Sequence, residues 1–347
     1  MMIPELEGSL AVVDQNVTIY EVARRAGVSI STVSLAINRP DRVKQETRAR
    51  ILAMADEVGF VPKERAVARA RAGVGRIAMV APFSSYPSFS RIMVGVLEEL
   101  GDDATQLSVV DNEDVATSTS PYLETIPVRG HVDGVLISGV PVEERVVDRL
   151  ANRLPAVLMG VRHPRLPSIW VNDFAAGQLA GAKLRAWGHQ RVGYVRETEV
   201  SFLADSPAQQ RVDGLRSVMG SENVVEVAVS RSESAGAEAV AALWGEEQSD
   251  PPTAVVAFRD LIALGMISTL IQAGFRVPED ISVIGFDDDP AAAAVGLSTI
   301  LNPFEELGRQ AVKALKHKLT HPHAEPIDLE LPVMFRDRRT AGPAATK

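Results

Sequence analysis

The sequence contains no cysteine. That removes disulfides and thiolate metal sites, and it makes a reducing compartment the simplest home. Long apolar runs are missing too, and none approaches the roughly 18 residues that a membrane-spanning helix needs. The opening stretch MMIPELEGSLAVVDQN is acidic, with no basic segment leading into an apolar one, so it does not read as a secretion signal. Together these absences point to a cytoplasmic chain with no membrane partner. Catalytic signatures are lacking as well. GVGR at 73–76 precedes a strand pattern instead of following one, so it is no dinucleotide fingerprint, and no Walker loop or H-E-x-x-H motif occurs. A nucleoside- or sugar-acting enzyme would need a catalytic pair that is not there. The expectation is a non-enzyme with no cofactor.

Positive charge is also short overall, at a formal net −9, which argues against nucleic acid until its distribution is considered. Residues 17–75 hold eleven Lys/Arg against six Asp/Glu, whereas residues 76–347 hold twenty-five against thirty-six. A basic amino-terminal module on an acidic body suits one region that meets phosphate and another that does not. The 347 residues, 46% hydrophobic and 23% charged, suffice for two or three domains with real cores.

Within the basic module, TIYEVARRAG (18–27) places Ile19, Val22, Ala23 and Ala26 on one helical face. Thr18 stands as N-cap and Gly27 as the stop, and Ser29 can cap a second helix soon after. Two short helices joined through a glycine turn form a helix-turn-helix. On the second helix, Ser29, Val33, Ala36 and Ile37 face the first, while Ile30, Ser31, Ser34, Leu35 and Asn38 face outward. A third helix from about Gln45 to Val58 turns Ile51, Leu52, Ala55 and Val58 inward, with Arg48 and Arg50 toward solvent or phosphate. Gly59 and Pro62 end it. A plain helical bundle that never touches DNA would show the same three helices.

From Gly75 onward, short apolar runs alternate with amphipathic helical stretches. The runs are RIAMVAP, TQLSVVD, VDGVLISG, PAVLMG, SIWVND, RVGYVRE, VVEVAVS, TAVVAFRD and SVIGFDD; helical stretches include 88–100, 174–187, 207–219, 232–247 and 261–274. Strands alternating with helices mean parallel sheets covered on both faces. So many strands exceed what one such sheet usually holds, which implies two subdomains. Ligands of open α/β sheets bind beyond the carboxyl ends of the strands, and here those ends carry Asp173, Asp260 and Asp287-Asp288-Asp289.

The headpiece VTIYEVARRAGVSISTVSLAINRPDRVKQETRARILAMADEVGFVPK resembles that of the LacI/GalR (lactose/galactose-repressor) family of bacterial transcriptional regulators. The matching features are the T-I-x-x-V-A-x-x-A-G-V-S start, the internal T-V-S, the closing Asn38, the E-T-R of the third helix and the G-F-x-P exit. The body resembles the family's effector-binding core, which is of the type I periplasmic-binding-protein kind. VDGVLISG, V-N-D-x-x-x-G-x-x-L-A, W-G-H-Q-R-V-G and G-F-R-V-P-E-D-I-S-V-I-G-F-D-D carry that match. The resemblance implies a small all-α helix-turn-helix headpiece plus a two-subdomain α/β core. On that plan residues 1–16 form an extension, 17–61 the headpiece, 62–74 the hinge, 75–340 the core and 341–347 a tail. One subdomain would comprise about 75–171 and 302–325, the other about 172–301 and 326–340, with the third crossing near 325, where DLELPVMFR returns.

Residue by residue, the resemblance makes Arg211 the family's effector-binding arginine and Asp287 the aspartate that takes ligand hydroxyls. A guanidinium and a carboxylate can together grip vicinal hydroxyls of a sugar, and the competing reading of each is a structural salt bridge. Arg259 stands where the family usually has asparagine. It either meets a negative group on the effector or pairs with Asp287 or Asp289, leaving the effector neutral. Phe83, Tyr86 and Phe89 follow the first strand and could stack on a ring, or fill the core. Phe83 and Phe89 join the candidate set with Trp170. His317, His321 and His323 cluster without a matching carboxylate pattern, so no metal is expected.

At the DNA the chain departs from the family. Between Val28 and Ile37 there is no Arg, Lys, Asn or Gln, the side chains that most often grip base edges. Leu35 replaces the usual arginine beside Ile30 and Ser31, and apolar groups there select the thymine methyl. Ser34 and Asn38 would hold phosphate and register, and Thr18, Ser29, Thr32 and Arg42 complete the headpiece set. The hinge PKERAVARARAGVG (62–75) has no Leu, Ile, Met or Phe, and Arg69 occupies the place of the family's minor-groove leucine. With Arg65 beside it, weaker bending and steeper salt dependence are expected. The implied partners are a double-stranded operator, a small-molecule effector (a sugar or acidic sugar derivative) and a second copy in a homodimer. The alternative is a solute-binding sensor that has lost specific DNA recognition.

Overall fold

The computed structural model describes residues 17–60, 75–83, 86, 88–101, 105–112, 121–129, 132–140, 142–198, 206–246 and 248–345. The first helix, α1 (Ile19–Ala26), stops at Gly27, whose φ of 63° is left-handed and sterically free only for glycine. Thr18 holds the N-cap position without a side-chain capping bond. At α2 (Ile30–Asn38) the capping is explicit, because the Ser29 hydroxyl accepts from the Thr32 N–H at 3.1 Å. α3 spans Gln45–Glu57. Val22, Ala26, Val33, Ala36, Ile37, Ile51, Leu52 and Ala55 bury one another into a single small core, closed by Phe60.

Arg48 departs from its expected outward orientation and is buried. It sits three, four and seven residues before Ile51, Leu52 and Ala55, so it lies on the apolar stripe of α3 and points where that stripe points. Its charge is met there by Glu124, with Nε donating at 2.6 Å, and by the Pro40 carbonyl at 3.1 Å. Arg50 is exposed, as expected.

The remaining described residues build two six-stranded sheets. The first subdomain contributes β1 (Arg76–Ala81), α4 (Phe89–Leu100), β2 (Gln106–Asp111), α5 (Pro121–Arg129), β3 (Gly134–Ser138), α6 (Glu144–Arg153), β4 (Ala156–Met159) and β5 (Ser168–Val171). The second contributes α7 (Asp173–Ala186), β6 (Val192–Glu197), α8 (Pro207–Met219), β7 (Val224–Val229), α9 (Ala235–Trp244), β8 (Ala254–Ala257), α10 (Asp260–Gln272), β9 (Ser282–Asp287), α11 (Pro290–Val295) and β10 (Ser298–Leu301). α12 (Phe304–Thr320) then packs back on the first subdomain, and β11 (Asp328–Leu331) and β12 (Met334–Arg336) complete the chain. Strand orders are β2-β1-β3-β4-β5-β11 and β7-β6-β8-β9-β10-β12. The two halves thus share one doubly wound order, in which the chain reverses direction beside the first strand of each half.

The terminal stretch DLELPVMFR is not one strand returning to the second subdomain. Asp328–Leu331 pairs in parallel with β5 of the first sheet, and Met334–Arg336 pairs antiparallel with β10 of the second. The third crossing therefore falls at Pro332-Val333 and not near 325, which places 326–331 in the first subdomain. The reason is local: Pro332 has no N–H to continue a ladder, so the run breaks there and changes sheets. Helix contacts are tight enough to need glycine. A Cβ on Gly95 of α4 would lie 1.8 Å from the Glu305 carbonyl oxygen of α12.

Candidate DNA interface and effector cleft

The outward face of α2 is open. Ile30 and Leu35 are each 40% exposed, Ser31 and Asn38 are exposed, and Val33, Ala36 and Ile37 are buried beneath them. Hydroxyls along the helix start are tied together, with Ser29 2.7 Å from both Ser31 and Thr32. Ser34 accepts from the Asn38 amide at 3.3 Å. Thr18 and Arg42 are exposed on the same small module. Arg65 and Arg69, and with them the whole leucine-free hinge, lie outside the described residues.

The second candidate site lies where the carboxyl ends of the two sheets converge. Asp173 opens α7 immediately after the first crossing, and α8 lies against α7 because Gly177 leaves room. A Cβ there would come 2.0 Å from the Arg211 carbonyl oxygen. That approach brings the Arg211 Nε to 2.8 Å from the Asp173 carboxylate, while its Nη1 donates to the Phe258 carbonyl at 2.8 Å. The guanidinium is sandwiched between the rings of Phe286, 4.2 Å away, and Phe258, 4.9 Å away. Arg211 is thus a buried, fully oriented cation.

Asp287 ends β9 with φ at 106°, and Asp288 follows at 57°. Two consecutive non-glycine residues in left-handed backbone are strained, and such strain concentrates at functional sites. Burial raises the Asp287 carboxyl to about 6; Arg211 pulls it down and Asp289 adds to the rise. Asp260 is pushed further, to about 8, mainly by burial, although it accepts from the Thr299 hydroxyl at 2.6 Å and the Asp289 N–H at 2.8 Å. Asp288 does a structural job, holding Arg338 at 2.6 Å.

Arg259 pairs with neither Asp287 nor Asp289. Its partner is Glu197, the buried last residue of β6, which Arg231 also approaches at 3.4 Å. The Arg259 Nε is buried and finds no hydrogen-bond acceptor among the described residues. Tyr86 reaches this cluster from the first subdomain: its hydroxyl accepts from Arg231, and Arg231 and Arg259 lie 4.9 and 5.8 Å from its ring centre. Tyr86 packs edge-on against Phe89, whose ring in turn covers Gly139 at the end of β3. Phe83 and Phe89 pack on the first subdomain's core while standing at this end of the sheet. Arg91 of α4 makes a second bridge, donating to the carbonyls of Asp287 (2.9 Å) and Asp288 (3.3 Å) while its other nitrogens hold Glu305.

Trp170 is not part of this assembly. Its indole donates to Asp328 at 2.8 Å and Arg162 covers its ring, at the β5–β11 edge. Alternation along β5 explains this, since Ile169 and Val171 face the core and Trp170 takes the other face. The residues that the sequence reading missed, Arg91, Glu197 and Arg231, are charged groups at strand ends or helix starts. Only the RVGYVRE ending hinted at one of them.

A helix-turn-helix module with an open reading face, carried by a two-subdomain α/β core with a charged, aromatic-lined cleft, defines a DNA-binding regulator built on a periplasmic-binding-protein-like domain. Comparison with known proteins agrees. A model of bacterial regulatory proteins of the lacI family matches residues 18–63, and one of periplasmic binding protein-like domains matches residues 182–341. The HTH-type transcriptional repressor PurR of Mannheimia succiniciproducens is 31% identical over 325 residues, covering 90% of this chain and 95% of the relative. The HTH-type transcriptional repressor CytR of Escherichia coli (strain K12) is 30% identical over 319 residues, covering 88% and 91%. Among solved structures, a LacI family regulator from Enterococcus faecium with bound ribose superposes with TM-score 0.67 at 25% identity, covering 77% of this chain and 99% of that one. A lac repressor dimer bound to operator superposes at 0.64, with 24% identity over 94% and 99%. The chain belongs to the LacI family of bacterial regulatory proteins, and the PurR and CytR relatives are transcriptional repressors, not enzymes. No helix among the described residues is long and apolar enough to cross a membrane.

Proposed function

We propose that the protein is a ligand-controlled repressor that acts in the cytoplasm. It binds a pseudo-palindromic operator as a dimer and changes its DNA affinity when a small molecule occupies the cleft. The observation that carries this reading is the pairing, in one chain, of an open α2 face with a cleft whose buried groups are oriented but not all satisfied. A dimer suits the uncovered apolar side chains Val94 and Leu97 on α4, Leu261 on α10 and Val295 on α11, each about half exposed or more. Two headpieces related by a two-fold axis read two half-sites one helical turn apart.

The effector is best matched by a neutral polyhydroxyl compound of sugar size. Asp173 takes the charge of Arg211, and Glu197 that of Arg259. Glu197 is shared with Arg231, Glu305 holds Arg91, and the buried Asp287 faces the same guanidinium groups, so the cleft offers directed hydrogen bonds and not a surplus of positive charge. The ribose held by the Enterococcus relative is of this class. Selection of operator sequences from random DNA, followed by calorimetry with pentoses, hexoses and their phosphates and acids, tests both halves. Expected are a two-fold symmetric site and tighter binding of a neutral sugar that shifts operator affinity. A clear preference for acidic sugars that disappears in Arg259→Asn would overturn the neutral-effector reading.

A further inference from the structure

Headpiece and core are joined by more than the linker. α2 and α3 both pack against α5 of the first subdomain, and the contact is ionic on both flanks. On one flank Glu124 of α5, 2% exposed, is gripped from the headpiece by Arg48 at 2.6 Å and from α6 by Arg145 at 2.8 Å. On the other, Asp56 of α3 meets Arg149 at 2.6 Å and Arg153 at 3.2 Å, and Arg153 also donates to the Asp56 main-chain carbonyl at 2.5 Å. Arg145, Arg149 and Arg153 are spaced by four on one stripe of α6; Arg149 and Arg153 reach the headpiece directly, and Arg145 supports it through Glu124. Two of them lie at the carboxyl end of α3, where free carbonyls and the helix dipole favour positive charge.

We infer that the first subdomain carries a docking surface for its own headpiece, formed by Glu124 and the Arg145–Arg149–Arg153 stripe, which fixes the headpiece's orientation on the core and so pre-organises it for the operator. The surface binds the headpiece's back. Ile30, Ser31, Leu35 and Asn38 stay exposed while it is engaged, and Arg48 is withdrawn from phosphate contact to serve as the anchor. Such a contact matters more in this chain than where a hinge wedge grips DNA, because residues 62–75 contain no Leu, Ile, Met or Phe. Fixing the headpiece in advance lowers the entropy lost on binding. The effect on DNA affinity rests on the repressor reading given above; the docking itself does not.

The absence of cysteine permits a clean test on the full-length protein. A dye attached through Tyr20→Cys, at a 67% exposed site on α1, reports headpiece motion by time-resolved fluorescence anisotropy. With docking intact, the dye follows the slow tumbling of the whole molecule. Glu124→Gln, or Arg149→Ala with Arg153→Ala, adds a fast component, and operator affinity falls by about tenfold while effector affinity and the melting temperature of the core are kept. The arginine pair involves only partly exposed side chains, so it carries the test if Glu124→Gln disturbs α5. A fast component already present in the unsubstituted headpiece overturns the docking. Unchanged or tighter operator binding by variants that do gain the fast component overturns pre-organisation. If no protein binds any DNA but the anisotropy changes as described, the repressor reading fails and the docking stands.

Discussion

Two buried carboxyls set the pH behaviour of individual residues in the cleft. Asp260 has a folded value of about 8, against roughly 3.9 for an unfolded aspartate. Between those values the native state holds a proton that the unfolded state has lost. Stability therefore declines as pH rises through the window and levels off above it. Urea titrations from pH 6 to 8.5 should show this decline and a smaller one in Asp260→Asn. Taking the difference between the two proteins cancels the contribution of His189, whose buried ring acts in the opposite sense. Equal slopes in the two proteins would reject the assignment. Burial raises the Asp287 carboxyl to about 6, and the role proposed for it, accepting effector hydroxyls, needs the carboxylate, so effector affinity should fall as pH drops below about 6. On the proposed reading face, Leu35 offers an exposed apolar side chain that can make no hydrogen bond. Leu35→Ala should reduce the preference at its base pair by roughly 1 kcal/mol, the low end of a single-base effect, measured with operator variants; an unchanged preference counts against thymine-methyl reading.

Among elements, the α7–α8 pair sets the position of Arg211 against Asp173. Its two helices can approach only because Gly177 has no side chain to strike the Arg211 carbonyl oxygen. Gly177→Ala forces them apart and should cost about 1–3 kcal/mol of stability, the range for overpacking a filled interior, measured by denaturant unfolding. The same shift moves the Arg211 backbone relative to Asp173, so effector affinity should fall in the variant even under conditions where it is fully folded. Most elements could be read along the chain. The α1 stop at Gly27 and the Ser29 cap depend on neighbours a few residues away, as do the short apolar runs that mark most of the strands. β10, STIL, was missed because four residues with two small polar ones carry little periodic signal. The split of DLELPVMFR was signalled by Pro332, but only the competing sheets show where each half goes.

For the whole molecule, the central question is what keeps two similar subdomains at one separation. Two bridges span the cleft: Arg91 to the carbonyls of Asp287 and Asp288, and Tyr86 to Arg231. Arg91 is also held by Glu305 at 2.7 Å, so its head is positioned from the first subdomain and its free donors face the second. Arg91→Ala should let the subdomains separate. Small-angle scattering of the ligand-free protein would then give a larger radius of gyration, and effector affinity should drop by about tenfold, the price of closing a looser cleft. An unchanged radius would mean that the subdomain packing alone sets the separation.

The sequence by itself determined the parts whose physics is short-ranged: three short helices with the Ser29 cap and the Gly27 stop, an inward and an outward face on α2, strand–helix alternation, and the charge contrast between headpiece and body. Family motifs marked Arg211 and Asp287 as candidates, and the structure pairs Arg211 with Asp173. The partners of the long charged side chains were decided only by the tertiary structure. Arg259 meets Glu197 and not Asp287 or Asp289, and Arg48 meets Glu124 across the headpiece–core contact and does not face solvent. Trp170 has neighbours at the sheet edge instead of the cleft. A guanidinium reaches several ångströms in any direction from its backbone, and a buried one must take whichever carboxylate the packing brings near. Sequence spacing of 62 residues in one case and 76 in the other carries no trace of that choice.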